Sequence, residues 1–207
     1  RPDAQFHEEV RVWMAKFDAE ERQSRGEPLP DDIRRLLNQL VALRAMLTDE
    51  ATKATRSNVV RQRAFSERIT ELMRKYTNQQ LTSAEVIAEL IELAREVAAE
   101  GNRGARFAPP LNTDELAFFD AVATNESALL QQGEDILAQI ARELVGVMRR
   151  DMRIDWTVRD DVRAKLRSSI KRLLVKHRYP PDKQPAAIKL VLAQMESMAP
   201  RYAADRT

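Results

Sequence analysis

Apolar residues spaced three and four apart dominate the segment 154–181, and this spacing constrains the fold more than any other feature of the chain. The members of the series are Val158, Val162, Leu166, Ile170, Leu173 and Leu174. Such positions share one face of a helix with 3.6 residues per turn, so the segment predicts a long amphipathic helix at 157–179. Thr157 can cap its amino end. Pro180 and Pro181 follow its carboxyl end, where proline opposes continuation.

This predicted helix carries many more cations than acids, and the cations flank the apolar stripe on both sides. Arg163, Arg167 and Lys171 step by four along one flank, and Lys165, Arg172 and Lys176 lie along the other. A face exposed only to water more often interleaves acids for i,i+4 pairing, so the excess favours an acidic partner. The alternative is that lysine and arginine stems cover the edges of the stripe for solubility alone.

Two residues near the start of the same helix complete the set of candidate partner-binding or DNA-binding residues. They are Trp156 and Arg159. Packing of Trp156 against the first turn is the simpler explanation, and a hot spot facing a partner is the alternative.

Composition extends the helical prediction to the whole chain. Of its 207 residues, 43% are hydrophobic and 32% charged, with only five glycines and 5% aromatic residues. A strand-rich fold would need more turn glycines and more aromatic residues. We therefore predict an all-α, multi-helix bundle of about seven to eight amphipathic helices. The net charge of +2 does not by itself indicate nucleic-acid binding.

Breaks in the apolar pattern predict two helical subdomains. The first, a coupling subdomain, covers 1–101, and the second covers 112–207 and contains the basic helix. The segment 102–111 is rich in proline, glycine and arginine and is predicted to be a mobile linker. Within the first subdomain, 6–17 has helical spacing. The same spacing recurs on both sides of a polar stretch at 49–58, which leaves open either two helices or one long helix, with or without a kink, from 31 to 76.

Helix ends can also be placed from the sequence. Thr82 with Glu85, and Asn112 with Glu115, have the spacing of capping boxes. The residues expected to end or separate helices are Gly101 in a left-handed conformation, Gly133, and Pro200 at the end of the last helix. Phe118 lies off the apolar stripe of its helix and is predicted to be an exposed anchor.

Several classes of function find no support in the residues. The chain has no cysteine, which excludes disulfides and thiolate chemistry, and its two histidines, His7 and His177, lie far apart. Its glycines are isolated, so no phosphate-binding loop is present. No apolar run reaches the roughly 20 residues that span a bilayer. We expect a cytoplasmic segment without an active site, a bound cofactor, a metal or a membrane contact.

A family resemblance rests on several segments in the same order along the chain. They are 43–94, 114–128 (DELAFFDAVATNESA), 137–150 (LAQIARELVGVMRR) and 154–174 (IDWTVRDDVRAKLRSSIKRLL), followed by Tyr179-Pro180-Pro181-Asp182-Lys183. Over 37–198 the chain resembles the C-terminal helical region of the restriction (R) subunit of type I restriction-modification enzymes. The family commonly has a small residue before the Tyr-Pro-Pro sequence, where this chain has His177 and Arg178.

The resemblance implies a larger parent protein, as does a sequence that opens with Arg1 rather than methionine. Such a subunit has a nuclease domain and two RecA-like motor domains that use ATP and Mg²⁺ to translocate DNA, followed by helical domains. The implied parent is a type I site-specific endonuclease with ATP hydrolase activity. The nuclease and motor motifs are absent from these 207 residues, so no catalytic residue is carried over.

What the resemblance implies for this segment is a non-catalytic role, docking the translocase onto the methyltransferase core of modification and specificity subunits. One alternative is a clamp on double-stranded DNA built from Arg163, Arg167 and Lys171. A second alternative is a free-standing helical adaptor for partner proteins. An upstream reading frame that encodes a motor would separate this adaptor from the other two.

Overall fold

The computed structural model of the protein describes residues 31–151 and 160–204, which contain helices and no strand. The predicted all-α class is thereby confirmed. The elements of this part of the chain are α1 Asp31–Ala54, α2 Val59–Thr77, α3 Ser83–Ala99, a 3₁₀ helix Glu100–Arg106, α4 Thr113–Ala123, α5 Glu126–Gln132, α6 Glu134–Asp151, α7 Asp160–Lys176 and α8 Gln184–Ala204. The predictions for 6–17, Trp156 and Arg159 lie outside the described residues. In 31–151 and 160–204, no helix has the length and apolar character that crossing a bilayer demands.

Buried apolar side chains form two clusters along the chain. The N-terminal cluster joins α1, α2 and α3 around residues such as Leu40, Phe65 and Leu90. The C-terminal cluster extends from Phe107 to Ala199 and contains the buried faces of α4 to α8. The two clusters meet where α2 contacts α4 and α8. The division into subdomains at 101 and 112 therefore stays a prediction.

The helix starts follow the local chemistry of the sequence. Both predicted capping boxes are confirmed: Thr82 accepts from the backbone N–H of Glu85, and Asn112 accepts from that of Glu115. In each case the glutamate returns a hydrogen bond to the backbone of the cap residue. Gly133, with φ of 78°, separates α5 from α6 as predicted. These signals are local, because every partner lies within a few residues.

Of the two alternatives for 31 to 76, the structure has two helices, because the chain breaks between α1 and α2. Asn58 leaves helical conformation at φ −130°, and its side-chain oxygen accepts from the backbone N–H of Arg61, so it caps α2. Its side-chain nitrogen donates to Asp120 Oδ2 at 2.7 Å, 62 residues away in sequence. A distant partner thus supports the break, and periodicity within 31–76 does not reveal it.

Gly101 does not end α3 in the left-handed conformation that the sequence predicted. Among the positions that the structure describes, Gly133 is the glycine with positive φ, and α3 continues directly into the 3₁₀ helix. A glycine is needed instead at Gly104, where two backbone segments lie so close that a Cβ atom would stand 2.0 Å from the carbonyl oxygen of Leu111. Leu111 N–H donates back to Gly104 O at 3.0 Å. The segment 102–111 therefore folds back on itself and buries Phe107 and Leu111.

Two further predictions about aromatic and proline residues are wrong for tertiary reasons. Phe118 is fully buried, because α4 packs against α2, α6 and α8 and so has no solvent-facing apolar position. Pro200 lies inside α8 and does not end it. Met198 and Ala199 are buried before it, and Tyr202 beyond it donates to an Asp114 carboxylate. Contacts on both sides hold the helix across the missing backbone hydrogen bond.

A polar joint connects the two clusters, and it is defined here as Asn58, Arg61, Glu100, Arg103 and Asp120. Arg103 donates to Asp120 Oδ1 at 2.6 Å, and Arg61 donates to Glu100 Oε2 at 2.9 Å. Both carboxylates are nearly buried, and both also bond to Arg103. Burial alone would lower the pKa of Arg103, but the bonds and charges of Asp120 and then Glu100 raise it. Each buried charge in the joint therefore has an opposite partner.

Candidate functional site

The apolar stripe of α7 is confirmed as the buried face of the basic helix. Leu166, Ile170 and Leu174 are fully buried, and Leu173 is nearly so. The helix ends at Lys176, earlier than the predicted 179, and 157–159 lie outside the described part of the chain. The buried stripe separates the two cationic flanks of α7. One flank lies toward α6 and the other toward α8.

On the α6 side, the cations of α7 meet acids of the same chain. Lys176 Nζ lies 2.8 Å from Glu143 Oε2, and His177 Nε2 lies 2.9 Å from Glu143 Oε1. Partial burial would raise the pKa of Glu143, but hydrogen bonds from Lys176 and His177 outweigh it and lower that pKa. The negative charge of Glu143 is therefore held between two α7-side partners.

A second acid on α6 extends this compensation toward the start of α7. Asp151 accepts from Arg150 Nε at 3.0 Å and from Ser169 Oγ at 3.1 Å. The hydrogen bond from Arg150 contributes most to the lowered pKa of Asp151, while burial opposes it and Lys165 adds a weaker charge effect. Arg172 donates to Ser169 Oγ at 3.3 Å. The three cations on this flank thus lie among acids and hydroxyls of their own chain.

On the α8 side, the balance of charge is different. Arg163 pairs with Glu196 Oε1 at 2.7 Å. Arg167 and Lys171 are exposed and have no acidic partner within 31–151 or 160–204. Lys189 of α8, also exposed and without an acidic partner in those ranges, faces the same space. The α6 flank therefore lies beside acids and a hydroxyl of the same chain, whereas Arg167 and Lys171 of the α8 flank have no such contact among the described residues.

A groove of about 960 Å³ lies between α7 and α8 along this uncompensated flank. We call it the basic groove; it is lined by Arg163, Arg167, Lys171, Pro181, Gln184, Pro185, Ile188, Lys189, Leu192, Ala193 and Glu196. Cations form its rim, and apolar side chains from α8 form its floor. A smaller groove of about 480 Å³ lies on the α6 side, where Glu143 is part of the wall.

The turn between α7 and α8 is held by hydrogen bonds of two buried side chains. Tyr179 is almost fully buried, and its hydroxyl donates to Val122 O at 2.7 Å, while burial raises the pKa of Tyr179 to about 12. Gln184, also buried, donates to Tyr179 O at 2.9 Å. Arg178 has a φ of 55°, a conformation that glycine adopts at lowest cost and that other residues rarely adopt.

The candidate residues chosen from the sequence are thus divided by the structure. Arg163, Arg167 and Lys171 line one groove, Arg172 and Lys176 line the other, and Lys165 lies near Asp151. Sequence reasoning did not place Lys189 in a binding site. It read Ile188 and Leu192, which form the floor, only as core positions of the last helix. Their position in a groove depends on how α8 packs beside α7, and no local pattern reveals that packing.

No chemistry of catalysis is assembled in the residues that the structure describes. Within 31–151 and 160–204, no group of three or more His, Cys, Asp or Glu side chains is placed to hold a metal ion. The buried acids of the joint are bonded to arginine, and Glu143 and Asp151 are bonded to the cations and hydroxyls described above. These acids are therefore all bonded to groups of their own chain.

The helical part of the chain that the structure describes is of the class found at the C-terminus of type I restriction endonuclease subunits. The chain matches the family model for the type I restriction enzyme HindI endonuclease subunit-like C-terminal region over residues 39–201, and it belongs to this family. The match agrees with the resemblance found in the sequence. A search of solved structures found no significant match.

Two curated relatives give the scale of this relationship. The chain is 32% identical over 158 residues to the type I restriction enzyme HindI endonuclease subunit of Haemophilus influenzae, covering 76% of this chain. It is 31% identical over 134 residues, 63% of this chain, to a putative type I restriction enzyme MjaIXP endonuclease subunit of Methanocaldococcus jannaschii. The matched parts span only 15% and 12% of the lengths of these relatives.

Proposed function

We propose that this chain is a non-catalytic assembly module that docks an ATP-dependent DNA translocase and endonuclease onto a methyltransferase core. The supporting observation is the difference between the two flanks of α7: Glu143, Ser169 and Asp151 lie along its α6 side, while Arg167 and Lys171 on its α8 side face solvent. Family membership supplies the context of a multisubunit restriction enzyme. The nuclease, the motor, and their ATP and Mg²⁺ belong to the rest of the proposed cytoplasmic complex.

Mechanical connection between the ends of the module is part of this proposal. A docking element of a translocase must transmit force without unfolding. The polar joint links α2, the 3₁₀ helix and α4 by charge-assisted hydrogen bonds, which are stronger than neutral ones. Gln194, fully buried on α8, accepts from Val59 N–H at 2.9 Å and so connects α8 to α2. These long-range bonds favour a stiff connection between the clusters.

Deletion in the protein at its full natural length tests the proposed function. Removal of residues 31–204 should abolish stable association with purified modification and specificity subunits. ATP hydrolysis should persist. Circular dichroism and nucleotide binding should show that the remaining domains, including the nuclease, are still folded. Unchanged co-purification with the methyltransferase would reject the assembly role.

Direct binding of duplex DNA is a second candidate function, favoured by the same exposed ridge of Arg167 and Lys171 with Lys189 opposite. Binding through phosphates predicts an affinity that falls steeply with salt, and each lost phosphate contact should reduce the log–log slope by about one. Gel retardation of a duplex at low salt measures this. Absence of retardation removes this candidate.

A further inference from the structure

The basic groove has a shape and charge that identify the chemistry of its occupant. Residues 163 and 196 are paired near one end, and 171 and 188 line the same groove, which fits two antiparallel helices joined by the turn at 177–183. Arg163 to Lys171 spans nine residues of α7, and the rise between the two is roughly 12 Å, or about two helical turns. The groove is thus long enough to hold a short segment of regular structure.

The floor of the basic groove separates a protein occupant from DNA. Ile188 and Leu192 present the edges of mostly buried side chains, and Pro181, Pro185 and Ala193 add apolar surface beside them. The charged phosphate oxygens of duplex DNA would match the cationic rim but not this apolar floor. An amphipathic helix fits it, because apolar residues at three- and four-residue spacing can lie in the groove while acids on its edges reach the cationic rim.

Charge complementarity indicates that the edges of the bound helix carry negative charge. Arg167, Lys171 and Lys189 are three exposed cations for which 31–151 and 160–204 supply no acid. Glu196 closes one end of the groove, and its charge is directed to Arg163. A segment with acids flanking an apolar stripe would therefore meet opposite charge along most of its length.

Preorganisation of the groove supports binding without rearrangement. The turn between its walls is held by the Tyr179 hydroxyl on Val122 O and by Gln184 on Tyr179 O. Gln132 donates from α5 to Arg178 O at 2.8 Å and fixes the outer side of the same turn. A binding surface already held in its bound shape loses less conformational entropy on association.

We propose that the basic groove binds an acidic amphipathic helix of the methyltransferase core, with about two turns of that helix in direct contact. The proposal rests on the assembly role described above and specifies the surface and the chemistry of the partner. The apolar face of the helix covers Ile188 and Leu192. Its carboxylates pair with Arg167, Lys171 and Lys189.

Charge reversal in the full-length protein tests the rim. Arg167→Glu with Lys171→Glu should weaken binding to the purified methyltransferase by roughly tenfold or more, mainly through slower association. The matched control is Arg35→Glu with Lys75→Glu, which changes the same charge at exposed cations of α1 and α2 and should leave binding unchanged. Equal effects of the two double variants, or no effect of the first, would overturn the groove as the docking surface.

A photoreactive residue in the floor identifies the occupant. Ala193→p-benzoylphenylalanine should cross-link to an acidic helical segment of the methyltransferase. The same residue at Leu130, which is 80% exposed on α5, should give no such product. Reversing the charge of the captured acids should restore binding to the Arg167→Glu, Lys171→Glu variant. A cross-link to added duplex DNA, or none at all, would overturn the proposal.

The two experiments also separate this inference from the assembly role. If deletion of 31–204 abolishes association while charge reversal and cross-linking give nothing at the groove, the assembly role stands and the groove assignment fails. If deletion leaves association intact, the assembly role fails as well. Binding that survives the deletion therefore rejects the assembly role, whereas binding that survives only the charge reversal rejects the groove as the docking surface.

Discussion

Arginine and lysine serve different purposes in the polar joint and in the basic groove. In the joint, Arg61 and Arg103 are largely buried and bonded to Glu100 and Asp120, so their charges are neutralised within the chain. In the groove, Arg167 and Lys171 are exposed and face no acid among the residues the structure describes. The two places therefore differ in what surrounds their cations.

This difference teaches how cations for folding and cations for binding can be distinguished. A buried charge that loses its partner destabilises the fold strongly, whereas an exposed charge contributes little to it. The joint should therefore respond to substitution through stability, and the groove through association with a partner. The α6 side of α7 falls between them, because Glu143 is only partly covered and pairs with the exposed Lys176.

The largest effect is expected in the joint. Asp120→Ala leaves Arg103 and Asn58 without their shared acceptor and should lower the free energy of unfolding by about 3–5 kcal/mol. Chemical denaturation followed by circular dichroism measures this. Asp120→Asn, which keeps one acceptor oxygen, should cost less. Asp182→Ala, at an exposed acid, should stay within about 0.5 kcal/mol of the parent chain. A loss at Asp120 as small as at Asp182 would break the distinction between joint and surface.

A smaller, pH-dependent effect is expected at Glu143. Its pKa is lowered in the folded state, so its stabilising contribution is present above the ordinary pKa of glutamate and is lost as pH falls through the lowered value. Glu143→Gln should reduce stability at neutral pH by about 0.5 kcal/mol, because both partners are partly exposed. Below the folded pKa the variant and the parent should converge. Denaturation curves at several pH values check the sign, and a difference that grows on acidification would contradict it.

The smallest effect on stability is expected in the basic groove. Arg167→Ala with Lys171→Ala removes two exposed charges that have no acidic partner in 31–151 or 160–204, so the free energy of unfolding should change by no more than about 0.5 kcal/mol. Thermal denaturation measures this. A large loss would mean that these cations support the fold, and the contrast with the joint would then disappear.

Features that depend on neighbours in sequence were predictable. The stripe of Leu166, Ile170 and Leu174 was found from helical spacing, and both capping boxes were found from a three-residue interval. Ion pairs such as Arg63 with Glu67 on α2 follow from the same spacing. In all of these, the helix itself brings the groups together, so no knowledge of the tertiary structure is needed.

Features that depend on distant partners were not predictable. Periodicity did not reveal the break at Asn58, which Asp120 supports from α4. The rule that proline ends a helix failed at Pro200, where contacts of Tyr202 with Asp114 and burial of Met198 hold α8 on both sides. The same holds for the candidate site: the division of its predicted cations between two grooves required the positions of α6 and α8.

The sequence by itself determined the helices of this protein and the excess of cations on α7, because both follow from side-chain type at fixed spacing along one chain. Only the tertiary structure decided which of those cations lie close to acids of the same chain. An electrostatic interaction between side chains depends on distances across helices, and Glu143 and Asp151 approach one flank of α7 while Ile188 and Leu192 form a groove beside the other.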